Sequence, residues 1–179
     1  LGSVKIRLTE QLGIDDAQMG KMFSVFNFSN LIFAIVAGIL CDALGFKPIA
    51  ILGFIFAAAA IFLFGQAKSY GMALGVCFLL GIGGMFMNSV GNVMLGNPEV
   101  LFEDAGRSSN MGNVFFGIGA FFVPMLTAWL FKKAGYGGTI TTIAVIVLLP
   151  VIFAVMAVYP QAPAGFSGSA AAQLISQPQ

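Results

Sequence analysis

The chain has 179 residues, of which 59% are hydrophobic and 8% charged; it contains no histidine and carries a net charge of +1. An ordinary globular domain is roughly 25% charged, so eight basic and seven acidic side chains cannot clothe a water-facing surface of this size. A soluble enzyme, a nucleic-acid binder with its basic footprint and a disordered scaffold are excluded, and without histidine no metal or cofactor site is expected.

Apolar runs long enough to cross about 30 Å of hydrocarbon as helices recur between short polar breaks. They predict an all-α fold: a polytopic transmembrane helical bundle in residues 1–159, then a flexible tail or linker rich in Pro, Gly, Ser and Ala at 160–179. Five spans are expected, at about 19–41, 48–67, 71–96, 108–131 and 139–159. Barrel strands are excluded because 54–64 is apolar on every side, where a strand would alternate. Residues 1–21 are moderately polar and lack the basic start and apolar centre of a signal peptide.

Local chemistry marks the boundaries. Asp15 or Asp16 can cap the first span, and Asp15 with Gln18 has capping-box spacing. Asp42-Ala-Leu-Gly45-Phe-Lys47-Pro48 predicts a short turn, and Lys68-Ser-Tyr-Gly71 another. Gly96-Asn97-Pro98 should end the third span, with an acidic stretch after it, and Lys132 to Gly138 should close the fourth. Pro124 and Pro150 each remove a backbone donor, so a kink is expected at both. Cys41 and Cys77 lie within apolar runs and read as small buried hydrophobes.

Polar side chains are spread unevenly over the spans. The first carries Asn27 and Asn30, a helical turn apart; the third carries Asn88 and Asn92 on one face; the fourth carries Asn110 and Asn113 near its start. The second has only Gln66 at its end, and the fifth only Thr139, Thr141 and Thr142 at its beginning. An unpaired amide in hydrocarbon costs several kcal/mol, so these asparagines should face partners or water. The glycines, Gly81-Ile-Gly83-Gly84 above all, give small surfaces on which helices approach closely. Gly81 to Gly84 is no dinucleotide fingerprint, because it lies inside an apolar span. The phenylalanines read mainly as lipid-facing bulk, with Phe115 or Phe116 as the place where a sugar ring could stack.

Gly38-Ile-Leu40-Cys-Asp42-Ala-Leu-Gly45-Phe-Lys47 resembles the G-x-L-x-D-R-x-G-R-K loop that joins the second and third helices of major facilitator superfamily transporters. Ala43 and Phe46 stand where that family usually has arginines. Leu12-Gly-Ile-Asp-Asp-Ala-Gln-Met-Gly also looks like the lead into the family's second helix. The resemblance implies that the spans are helices two to six of the N-terminal half, and that the first helix and the second six-helix half lie outside the chain. It implies gating roles for Gly38, Asp42, Gly45 and Lys47, in a latch weakened by the two absent arginines. It also implies that the helices bearing Asn27, Asn30, Asn88, Asn92 and Asn113 line a central cavity, which makes those five the expected solute contacts. The run from Asn110 to Ala120 loosely resembles sugar permeases of the fucose type, yet no carboxylate of the kind that couples proton transport lies within a span.

Orientation is in tension. The family's topology makes the Gly38–Lys47 loop cytoplasmic, whereas the basic residues favour the opposite face, against the positive-inside rule. The loop is taken as the guide. The expected function is a multi-pass transporter in a plasma or inner membrane, moving a small polar, sugar-like solute by alternating access. The alternative is a non-transporting scaffold subunit among partner membrane proteins. No enzyme chemistry is expected, since no nucleophile–base pair is present.

Overall fold

The computed structural model describes residues 9–10, 12–98 and 100–160. Residues 1–8, and the tail expected from 160 onward apart from Pro160, lie outside the described residues. From Asp16 onward the helices follow in order: α1 Asp16–Leu44, α2 Phe46–Gly65, α3 Tyr70–Gly96, α4 Ala105–Leu148 and α5 Pro150–Met156. No strand occurs among the described residues.

The starts of α1, α3 and α4 have a side-chain cause. Asp15 closes the capping box: its carboxylate accepts from the Gln18 backbone N–H at 2.7 Å, and the Asp15 N–H donates to the Gln18 side-chain Oε1 at 3.0 Å. Ser69 caps α3 by accepting from Met72 N–H at 3.2 Å. Asp104 caps α4 by accepting from Arg107 N–H at 2.9 Å, which starts the helix three residues before the expected Ser108. The expected turn from Asp42 to Pro48 shrinks to one residue. Gly45 stands at φ 83°, ψ 169°, a conformation open to glycine and costly for a residue with a Cβ, and helix resumes at Phe46.

The count of spans is corrected. Among the described residues four helices are long and apolar enough to cross a membrane, not five, and the fourth is the 52-residue stretch Ala105–Met156. Within Lys132–Gly138, where a loop was expected, helix runs up to Gly135 and resumes directly after it. Straight, 52 residues would reach about 78 Å at 1.5 Å per residue, far beyond a bilayer. The stretch is instead folded at Gly135, whose φ of 66° and ψ of −171° are the non-helical pair inside α4. Pro124 lies inside α4, and Pro150 takes the first turn of α5, where its missing N–H costs nothing.

Contacts trace both arms. Tyr136, just past the break, donates its hydroxyl to the Phe64 carbonyl at 3.3 Å, and Ile140 covers Gly65. Further on, Ala144, Val145 and Leu148 lie beside Ala58 and Ile55, and Met156 to Tyr159 reach the Leu44–Pro48 turn. The second arm thus runs antiparallel to α2 over its full height.

The core lies where α3 packs between α1 and α2. One cluster joins Met22, Ala60, Phe64, Ala73 and Cys77; the other joins Ala37, Cys41, Phe46, Ile49, Phe86 and Val90. Both cysteines are buried, as expected. Glycine makes the contacts close: a Cβ on Gly53 would stand 2.9 Å from the Met87 nitrogen, one on Gly83 would strike the Ala57 backbone, and one on Gly81 would stand 2.6 Å from the Ser29 Cβ. Ser29 is fully buried and donates its hydroxyl to the Phe78 carbonyl at 2.7 Å, which satisfies it away from water.

Candidate functional site

Along α3 the positions 84, 88, 91, 92 and 95 recur at three- and four-residue steps and so share a face. They place Gly84, Asn88, Gly91, Asn92 and Leu95 on one side of a groove of about 380 Å³, opposite Gly112, Asn113 and Phe116 of the first arm of α4. Gly112 lies against Leu95, pinning the two helices at the groove's end, and Asn113 follows by one residue. Asn88, Asn92 and Asn113 are all exposed. Three of the five sequence-predicted solute contacts therefore come together.

Asn27 and Asn30 do not join them. Residues of α1 lie level with α3 residues about 50 further along, since Ser29 meets Phe78 and Gly81 while Ala37 and Cys41 cluster with Phe86 and Val90. Asn30 is thus level with about residue 80, roughly 12 Å along the bundle from Asn88 at 1.5 Å per residue. Asn27 is exposed and Asn30 half-buried. The amides form two levels, one near mid-height on α1 and one nearer the Gly45 end between α3 and α4.

The groove lining holds no ionisable side chain. Each amide offers one acceptor oxygen and two N–H donors, enough to hydrogen-bond hydroxyl or amide groups. A charged solute would find no counter-charge there. Proton transfer and nucleophilic attack have no candidate groups in it either.

The residues expected to gate sit at the same end as the three amides. Gly38 is exposed on α1; Asp42, half-buried, lies in its last turn; Lys47 is exposed in the first turn of α2. Both charges oppose the dipoles of their own helices, an acid at a C-terminus and a base at an N-terminus, where the reverse is favoured by about 0.3–1 kcal/mol. The start of α2 also has no side-chain cap. Tyr159 packs beside this turn, and its partial burial lifts the phenol above its ordinary pKa.

The opposite end carries Lys21, Lys68, Lys132 and Lys133, with Lys133 lying 5.4 Å from the Trp129 ring centre. These four lysines share the Gly135 end with Asp15 and Asp16, while Lys47 and Arg107 lie with Asp42, Glu103 and Asp104 at the Gly45 end.

Sequence reasoning missed two parts of this arrangement. Leu95, Met87 and Gly91 complete the groove, and the spacing around Asn88 was the available signal. A second crevice, about 330 Å³ and lined by apolar residues apart from Thr141, runs between α2 and the second arm of α4 along Ile55, Ala58, Phe62, Ala144 and Leu148. It depends on the reversal at Gly135, inside the stretch Lys132 to Gly138 that the sequence marks as the end of the fourth span. A family model described as Major Facilitator Superfamily matches residues 1–177. No curated protein matches the chain.

Proposed function

Because the chain belongs to the Major Facilitator Superfamily, we propose that the groove between α3 and α4 is part of the path of a small, uncharged polar solute moved by alternating access. The family is one of transporters, not of enzymes, and with four apolar helices of spanning length the chain is an integral membrane protein. The observation that carries the proposal is the convergence of Asn88, Asn92 and Asn113, from two helices far apart in sequence, on one open groove without a charged group.

Asn30 and Asn27, about a third of a bilayer's thickness away, form a second level that the solute meets on the same path. Asp42 and Lys47, set against their own helix dipoles, form with Gly38 and Gly45 the gate. They act on charges of another transporter half as the two bodies rock. In this reading the α1–α2 turn is the family's loop between its second and third helices. The run from Asn110 to Ala120 makes a sugar-like solute of the fucose-permease kind the first to try. The membrane is a plasma or inner membrane, with the Gly45 end cytoplasmic.

The test is uptake of labelled neutral sugars and polyols into cells or vesicles expressing Asn88→Leu. Uptake should be abolished while the amount of protein in the membrane is unchanged, because Asn88 takes no part in the packed core. Normal uptake would reject the groove as the path.

A further inference from the structure

Adjacent glycines on α3 face opposite ways. Gly83 is buried, and a side chain there would drive into the backbone of Ala57; Gly84 lies on the groove, and a Cβ there would meet nothing within 4 Å. Gly91, two turns on and on the same face, is likewise bare over open space. Neither Gly84 nor Gly91 is needed for the helix packing described above, and glycine weakens a helix interior. Their shared feature is the cavity in front of them, in which Asn88 and Asn92 stand between and beside them, with Phe116 across the gap.

We propose that Gly84 and Gly91 are specificity determinants of the groove, setting the clearance in front of Asn88 and Asn92 so that a solute one ring wide lies against bare helix backbone. The inference rests on the reading of the groove as a solute path. A ring that lies on glycine can bring its edge groups to amides projecting from the same helix, whereas a side chain at position 84 or 91 would hold it away. Solutes of single-ring width pass, and side chains added at these positions narrow the opening by steps. The rival occupant of a bare helix face is another helix, since small residues also permit close helix approach.

The experiment needs no knowledge of the solute. A thiol is introduced by Asn88→Cys in the full chain in native membranes, where Cys41 and Cys77 are buried and contribute a slow background. Its labelling is timed with methyl methanethiosulfonate, which is small, and with fluorescein maleimide, which is bulky; both require a thiolate in water. Adding Gly91→Leu or Gly84→Leu should slow the bulky reagent about tenfold, as its access to the thiolate is cut, and leave the small one within about twofold.

Equal labelling by the bulky reagent with and without the added leucine would overturn the clearance role while leaving the water-lined groove intact. Leucine variants that leave the membrane or lose their sharp elution in detergent would show the bare face to be a helix contact, and would also overturn it. In that case Gly84→Ala separates the two roles, because alanine at a helix contact lowers yield and at an open groove does not. Absence of labelling at Asn88→Cys by either reagent would sink the groove reading itself, and the inference with it.

Discussion

The two sides of α3 use the same small and polar residues to opposite ends. Toward α1 and α2, Gly53, Gly81 and Gly83 let backbones touch, and the Ser29 hydroxyl is buried and bonded to Phe78. Toward α4, Gly84 and Gly91 front empty space, and Asn88 and Asn92 stand exposed in a groove. A hydroxyl can be satisfied within a packed seam by one helix carbonyl. An amide, with two N–H donors and two oxygen lone pairs to satisfy, is far harder to bury between helices. The closed side supplies the rigidity and the open side the chemistry.

The difference can be broken first on the closed side. Gly83→Leu must push α2 and α3 apart, and overpacking of this kind costs about 3 kcal/mol or more. Folded protein in a size-exclusion assay should nearly vanish, and survival at normal yield would show that the seam is looser than described. Ser29→Ala removes one interhelical hydrogen bond, a loss of about 1 kcal/mol in membrane proteins, visible as a lower melting temperature in detergent. Asp15→Ala loses the capping box and about 1 kcal/mol or slightly less, with fraying confined to the start of α1 in hydrogen exchange. Gly84→Ala should have the smallest effect, under about 1 kcal/mol and stabilising, because alanine favours helix and meets nothing. A loss of stability there as large as at Gly83 would erase the distinction between the two sides.

Much of this architecture is legible in the sequence because hydrocarbon imposes a length. The ends of α1, α2 and α3 fall within a few residues of charge and capping signals, and the Asp15–Gln18 box reads directly from its spacing. The sequence divides a fourth span from a fifth at Lys132 to Gly138, whereas the structure carries one 52-residue helical stretch, Ala105–Met156, with its break at Gly135. Lys132 to Gly138 look like a loop by their polarity and glycine content, but a single positive φ at Gly135 reverses the chain while helical bonding continues on both sides. The groove was half legible. Periodicity put Asn88 and Asn92 on one face and flagged Asn113, but periodicity within a helix says nothing of the level at which neighbours meet. The parallel stagger of α1 against α3, set by Ser29 under Phe78, is what leaves Asn27 and Asn30 out of the groove.

The account stands on the claim that the α3–α4 amides look onto water. Single thiols placed by Asn88→Cys, Asn92→Cys and Asn113→Cys, and for contrast by Phe28→Cys and Ala37→Cys, should be treated in intact membranes with a charged, membrane-impermeant maleimide from each side in turn. The three groove thiols should react from at least one side, about tenfold faster or more than those on the exposed apolar face and in the core, since only a hydrated thiol ionises readily. Equal, slow reaction at all five positions would place the amides in lipid or packed protein and contradict the account.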